Sequence, residues 1–200
     1  MAVMRFQLPV ESDNVPNNAV GIYRFLLRFP TDYELGLQEK NSDVQSARVQ
    51  LLETLLTMEQ VRLGLPLAGV LATENVSKHL RNSMKINATH VSDLSKWFNN
   101  AIPLAGCDDK KLRAASEVLR RSLDASIAIY IGMTGKQSFS TRLRQHLAGG
   151  SNLLPQMRGF KLSISQLWYE CIEIESPDKD LINRLEDLAQ ATLKPPFSKA

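Results

Sequence analysis

Three short stretches of the chain carry the hydrophobic pattern of buried β-strands. They span 20–29, 127–131 and 165–174, and each is rich in β-branched, aliphatic and aromatic residues. Proline or glycine follows each stretch closely, as is typical where a strand ends in a turn. Residues 1–18 are polar and contain two prolines, so we predict an extended arm or loop there. The pattern therefore predicts a small mixed or antiparallel sheet of three main strands.

Apolar residues recur at spacings of three and four in the remaining long segments. This helical period runs over 42–63, 110–123 and 180–193, and a shorter basic helix is predicted after Ser140 or Thr141 as its N-cap. The fold class predicted is α+β, with an all-helical insertion between the first two strands. We divide the chain into an N-terminal arm and first core strand at 1–34, a helical insertion at 35–125 and the remainder of the core at 126–200.

Two short helices predicted within 73–98 permit a helix-turn-helix interpretation, with the second helix, VSDLSKWF, in a major groove. The same pattern is typical of any small helical hairpin. His79 and His90 fall in this segment without a second ligand in register, so we assign them no role. A helical module that binds another protein is a further hypothesis for the insertion.

Composition narrows the class of protein. The chain has 200 residues, of which 44% are hydrophobic and 22% charged, as in a soluble globular protein. Cys107 and Cys171 lie in no zinc or disulfide spacing, which favours a reduced, cytoplasmic setting. No apolar run approaches the roughly 20 residues of a membrane span, and the N-terminus lacks the pattern of a secretory signal. We expect neither export nor a membrane partner.

Positive charge is concentrated in one part of the chain. The net charge is only +3, but 110–161 is strongly basic, whereas 170–187 is mainly acidic. A basic segment of this kind predicts a surface that binds a polyanion. For 110–121 the alternative, a solvated helix face, stays open.

Candidate chemistry lies in the stretch IAIYIGMTGKQSFSTRLRQHL, from 127 to 147. Tyr130 ends the predicted strand, and Arg142 and His146, four residues apart, share one face of the basic helix. Phosphodiester hydrolysis needs a group that takes a proton, a cation that neutralises phosphate and a ligand for a metal. Glu186 is the carboxylate we propose for the last role, with Asp187 as its rival.

An ordered set of motifs resembles the GIY-YIG nuclease superfamily. Gly21-Ile22-Tyr23 and Tyr130-Ile131-Gly132 match its two triplets, Arg142 its helix arginine and Glu186 its metal-binding glutamate, followed by the terminal KPPF. The resemblance implies a three-stranded sheet flanked by helices and a metal-dependent endonuclease that acts on DNA. Some hundred residues separate the two triplets, which implies a long helical insertion between them.

The resemblance also implies roles for individual residues. Glu186 would bind Mg²⁺ or Mn²⁺, and Tyr23 would activate water with help from Tyr130 or His146. The implied catalytic residues are Tyr23, Tyr130, Arg142, His146 and Glu186. The implied DNA contacts are Lys136, Arg144, Arg158 and Lys161.

Two residues depart from the family pattern. Met133 stands where many members have lysine, and Ser198 stands where asparagine is usual. These departures keep open an alternative, a noncatalytic nucleic-acid-binding or regulatory protein on the same scaffold. The sequence does not determine the oligomeric state, and a homo-oligomer is one of the states considered.

Overall fold

Four antiparallel strands form the sheet of this α+β protein. The computed structural model describes residues 2–37, 43–63, 99–174 and 179–198. The strands are β1 (Val3–Gln7), β2 (Gly21–Leu27), β3 (Ala128–Thr134) and β4 (Leu167–Glu173). Their order across the sheet is β1-β4-β2-β3, and every neighbouring pair is antiparallel. The α+β class is therefore as predicted.

The prediction of three strands is corrected to four, because part of the predicted N-terminal arm is a strand. Val3 pairs with Ile172 and Gln7 with Trp168, which places β1 at the edge beside β4. Its hydrophobic pattern is weak since an edge strand has one neighbour and stays partly exposed. Arg5 lies in the middle of β1 and its side chain is an ion-pair partner of Glu170 on β4, which also pairs with Arg24 on β2, so a charge interrupts the apolar pattern of β1.

The two central strands carry the core of the sheet. On one face, Tyr23 and Phe25 of β2 lie opposite Cys171 and Tyr169 of β4, and all four are buried. Leu26, on the other face, is buried too. Burial on both faces explains why β2 reads as a nearly continuous apolar run rather than as a strict alternation.

Contacts divide the chain into two compact units. One comprises Met1–Phe29 with Ser122–Ala200, and the other Pro30–Arg121. We call them the sheet unit and the helical unit. The helical unit contains α1 (Val44–Leu63) and most of α2 (Asp109–Leu123). Within α2, Leu112 and Ser116 are buried, whereas Val118 is exposed.

Three helices follow in the sheet unit: α3 (Phe139–Leu147), α4 (Leu153–Gly159) and α5 (Lys179–Leu193). Helix α3 begins two or three residues earlier than predicted, because Ser138, not Ser140 or Thr141, caps it by accepting a hydrogen bond from the Thr141 N–H. Helix α4 was not predicted, since it has only seven residues and contains a proline. The helix-turn-helix segment at 73–98 lies outside the described residues.

Helix α5 and the tail after it cover the outer edge of β3. The Phe197 N–H donates to the Ile129 carbonyl over 2.9 Å. The Ser198 hydroxyl accepts from the Ile131 N–H at 2.9 Å and donates to the Ile131 carbonyl at 3.1 Å. The Gln190 amide also donates to that carbonyl. These backbone N–H and C=O groups at the edge of β3 would otherwise need water as a partner. They are hydrogen-bonded instead, and the same bonds hold α5 alongside β3.

In the parts of the chain that are described, no helix combines the length and the apolar character needed to cross a membrane.

Candidate active site

Tyr23, on the central strand β2, and Gly132, on the edge strand β3, lie opposite each other at the start of the site. They are direct partners in the β2–β3 register. A Cβ atom at position 132 would lie 2.5 Å from the Tyr23 hydroxyl oxygen, so only glycine leaves room for the phenol. The ring of Tyr130, two residues earlier on the same strand face, stacks beside Tyr23 with centroids 6.2 Å apart. The glycine thus sets two tyrosines side by side.

His146, on α3, completes this aromatic group. Its Nε2 lies 2.8 Å from the Tyr23 hydroxyl, and its Nδ1 lies 2.6 Å from the Ser151 hydroxyl. The imidazole is only 1% exposed, and its ring centroid is 5.0 Å from that of Tyr130. Both ring nitrogens therefore have a hydroxyl partner, and the imidazole itself is shielded from bulk water.

The surroundings keep Tyr23 and His146 neutral. Burial, and after it the neighbouring Tyr130, raises the pKa of Tyr23 well above its ordinary value, although Arg142 acts in the opposite direction. Burial lowers the pKa of His146 to about 4, and the positive charge of Arg142 adds to this effect. At neutral pH a phenol and an uncharged imidazole share the hydrogen bond between them.

Arg142 lies one turn before His146 on α3. It donates from Nη1 to the Gln145 side-chain oxygen at 2.9 Å, and its interaction with Tyr23 opposes the rise of that phenol's pKa. Among the described residues its Nε is buried without a hydrogen-bond partner. An unpaired guanidinium donor of this kind is well suited to an anionic oxygen such as that of a phosphate.

Glu186, on α5, reaches the site over the edge of β3. It accepts a hydrogen bond from the Gln190 amide at 2.9 Å. Burial, and then the adjacent Asp187, raises the pKa of this carboxyl, whereas Arg142 lowers it. Arg142 thus acts electrostatically on both Tyr23 and Glu186 and lowers the pKa of each.

The resemblance implies a bound Mg²⁺ or Mn²⁺, and the side chains of the site determine whether such an ion fits. Within the described residues, no group of three or more His, Cys, Asp or Glu side chains is arranged to hold an ion. Mg²⁺ keeps most of its water and is commonly bound by one or two carboxylates together with substrate phosphates. A half-buried glutamate beside an arginine that can take a phosphate fits that kind of site.

Of the five predicted catalytic residues, Tyr23, Tyr130 and His146 are in contact with one another. The charge of Arg142 acts on Tyr23, His146 and Glu186. The predicted DNA-binding cations lie apart from these five residues, on the surface of the sheet unit. Lys136 is in the turn between β3 and α3, Arg144 is on α3, and Arg158 and Lys161 lie at the end of α4; all four are exposed. Arg144 contacts Asn17 and Ser140.

The two halves of the basic segment differ in their partners. In α2 the cations are paired with nearby carboxylates, which favours the solvated-face interpretation of 110–121. These pairs are Lys111 with Asp108, Arg113 with Asp109, Arg120 with Asp32 and Glu117, and Arg121 with Glu117. None of the four cations of the sheet unit has a carboxylate partner among the described residues, so their charge is available to a polyanion.

Two side chains of the site were missed by the sequence reasoning. Ser151 follows two glycines in what reads as a loop, and nothing in that pattern indicates a partner for His146. Gln190 is four residues after Glu186, a spacing that puts an amide beside a carboxylate on one helix face and could have been used.

The buried histidine predicts a pH-dependent stability. The unfolded chain takes up a proton on His146 below its ordinary pKa of 6.5, but the folded chain resists doing so until about pH 4. Stability is therefore fully present above pH 6.5 and falls as the pH drops toward 4, by about 3 kcal/mol from this group. Urea unfolding followed at several pH values should show this slope.

The matched variant is His146→Gln, which keeps a polar side chain but cannot titrate. We expect its free energy of unfolding to change less than that of the wild type between pH 6.5 and pH 4. An equal slope in both proteins would assign the acid sensitivity to other groups.

Family models, curated proteins and solved structures were compared with the chain, and none of them matches it.

Proposed function

We propose that this protein is a metal-dependent endonuclease that hydrolyses DNA phosphodiester bonds at a GIY-YIG-type site, on a GIY-YIG-like core interrupted by a helical insertion. The observation that carries the proposal is the 2.8 Å contact between Tyr23 on a central strand and His146 on the basic helix, beside the Arg142 guanidinium. A proton-transfer pair next to an anion-binding donor is what hydrolysis of a phosphate ester requires.

In this mechanism Tyr23 takes a proton from the attacking water. A phenol with a raised pKa is a poor base by itself, because the phenolate would be buried without sufficient charge to stabilise it. Tyr23 therefore gives its own proton to His146 Nε2 as it receives one from water. The neutral imidazole has a free lone pair for this transfer only while His146 remains unprotonated, which its lowered pKa ensures.

Arg142 and Glu186 act on the phosphate side of the reaction. The buried Nε of Arg142 donates to a non-bridging phosphate oxygen and opposes the negative charge that builds up there. Glu186 would hold Mg²⁺ or Mn²⁺. A bound divalent cation would polarise the phosphate and stabilise the departing oxygen. Met133 stands at the position of the family lysine, and its backbone lowers the pKa of Glu186, an effect that does not depend on its side chain.

Ser198 can replace the usual asparagine because both side chains can donate and accept at once. Its hydroxyl makes both hydrogen bonds to the backbone of Ile131. This favours a structural role at the β3 edge for position 198 and removes one reason to doubt catalysis. The two free cysteines, Cys107 and Cys171, are consistent with a reducing, cytoplasmic setting.

The test is cleavage of supercoiled plasmid DNA with Mg²⁺. The wild type should produce nicked or linear DNA, and Arg142→Ala should be slower by about 10²–10³-fold because a charge-stabilising donor is removed. Chelation of the metal should stop the reaction. Plasmid that stays intact while the protein still binds it would favour the noncatalytic alternative, and cleavage insensitive to Arg142→Ala and Glu186→Ala would exclude this site.

Binding of DNA by the exposed cations makes a separate prediction. Lys136→Ala with Arg144→Ala should weaken binding of duplex DNA and reduce the slope of log K against log salt by about 2, because each substitution removes one cation from a phosphate. Fluorescence anisotropy at several salt concentrations measures both quantities. Lys111→Ala with Arg121→Ala is the matched control, because those cations already have carboxylate partners. Equal slopes for the two double variants would contradict the assignment.

A further inference from the structure

Ser151 is the second hydrogen-bond partner of the buried imidazole. Its hydroxyl oxygen lies 2.6 Å from His146 Nδ1 and is also within 3.3 Å of the Leu153 N–H, which donates to it. It sits in the turn between α3 and α4 directly after Gly149 and Gly150, which are exposed. The serine thus connects the buried imidazole to a loop at the surface.

The proton arrangement on His146 depends on this partner. A neutral imidazole carries one N–H, either on Nδ1 or on Nε2. With the proton on Nε2, the ring would donate to the Tyr23 hydroxyl and could not accept its proton. With the proton on Nδ1, the ring donates to Ser151 and its Nε2 lone pair points at Tyr23. Only the second arrangement makes His146 a proton acceptor.

The groups around the ring permit the second arrangement. Tyr23, Tyr130 and Arg142 are the titratable or charged side chains whose contacts or electrostatic effects reach His146. None of them contacts Nδ1 in the described structure. Because the Ser151 oxygen is already placed as an acceptor by the Leu153 N–H, it can accept from His146 Nδ1 as well and leave its own O–H for solvent.

We propose that Ser151 is a positioning residue that holds His146 in the Nδ1–H tautomer and so makes Nε2 the proton acceptor for Tyr23. This inference rests on the proposed nuclease function and deepens it. The water oxygen bonds to phosphorus as the bond between phosphorus and the departing oxygen breaks. One proton moves from the attacking water to Tyr23, and the phenolic proton moves to His146 Nε2. The imidazolium then carries N–H groups on both nitrogens, with the Nδ1–H still bound to Ser151. It returns one proton to solvent after the product leaves, and water protonates the departing oxygen.

The tautomer can be measured without any activity assay. In protein labelled with ¹⁵N-histidine, the two ring nitrogens of each neutral histidine give separate pyrrole-type and pyridine-type signals in two-dimensional NMR spectra. His146→Gln identifies which signals belong to His146 among the three histidines. At pH 7 we expect the pyrrole-type signal on Nδ1 in the wild type and in Ser151→Thr, and a mixture or the Nε2–H form in Ser151→Ala.

Kinetics on plasmid DNA give the second readout. Ser151→Ala should lower kcat about 10-fold, the worth of one hydrogen bond to a group that becomes charged, with KM for DNA nearly unchanged. Ser151→Thr, which keeps the hydroxyl, should restore most of the rate. Ser126→Ala, which removes an exposed serine hydroxyl bound only to the Leu123 carbonyl, is the matched control and should keep the wild-type rate.

The two readouts separate the two hypotheses. A wild type that cuts no DNA defeats the proposed function, and the NMR result then decides the Ser151 assignment by itself. An Nδ1–H tautomer that persists in Ser151→Ala overturns the inference, as does an Nε2–H tautomer in the wild type. A tautomer that changes in Ser151→Ala and returns in Ser151→Thr supports it.

Discussion

Glu186→Gln is expected to lower Mg²⁺-dependent cleavage of plasmid DNA by about 10³-fold or more, because a cation held by a single protein carboxylate loses its only charged ligand. The amide has nearly the same shape as the carboxylate, so its oxygen can still accept from the Gln190 amide. The Glu186→Gln variant should therefore fold like the wild type. Since burial and Asp187 raise the pKa of Glu186, its charge is a cost in the folded protein, and the variant should unfold at the same temperature or higher.

Asp187→Asn is the control that the chain offers. Asp187 is adjacent and exposed, and it was the rival metal ligand in the sequence. It should keep nearly full activity. Binding of Mn²⁺ followed by electron paramagnetic resonance gives a direct comparison of affinity, which we expect to weaken at least about 10-fold in Glu186→Gln alone. Loss of Mn²⁺ binding in Asp187→Asn, with Glu186→Gln unaffected, would assign the metal ligand to Asp187 instead of Glu186.

Strands β2, β3 and β4 were predictable because each leaves a dense apolar run in the sequence. Strands β2 and β4 are central, and the outer edge of β3 is covered by α5 and the tail after it. Strand β1 was not, because an edge strand keeps polar residues such as Arg5, and the pattern that remains does not differ from a loop. What makes residues 3–7 a strand is pairing with β4, more than 160 residues later in the chain. A contact at that distance leaves no periodic signal near either strand.

The candidate site was likewise predictable only in part. The chemistry of its residues could be read from the sequence, since Arg142 and His146 are one helical turn apart and Tyr130 ends an apolar run. Their convergence with Tyr23 and Glu186 depends on the antiparallel register and on how α5 lies along β3. The position of Gly132 opposite Tyr23 is a property of that register.

Local capping interactions were the least predictable part. Three hydroxyl residues, Ser138, Ser140 and Thr141, stand close together, and each is a good N-cap by composition. The Phe139 and Ser140 N–H groups are bound by the carbonyls of Ala19 and Pro16, from a distant segment, and this decides where α3 begins. Ser151 and Ser198 likewise take their roles from partners remote in sequence.

Tyr23→Phe is expected to reduce the rate of DNA cleavage by about 10²–10⁴-fold, the usual effect of losing a positioned proton-transfer group. The ring stays, so stacking on Tyr130 and burial in the sheet are kept. His146 Nε2 loses its partner, which should cost about 1–3 kcal/mol of stability. Single-turnover cleavage, together with urea unfolding, measures both effects.

Tyr169→Phe provides the matched comparison, because it removes a buried hydroxyl from the same face of the same sheet. Tyr169 lies next to Tyr23, with ring centroids 5.6 Å apart, but its hydroxyl donates to the Phe139 carbonyl at 3.2 Å and has no part in the proposed mechanism. We expect a similar loss of stability, about 1 kcal/mol, and a rate within about threefold of the wild type. If the two variants lose activity equally, the effect is one of packing, and Tyr23 is a core residue rather than the group that activates water.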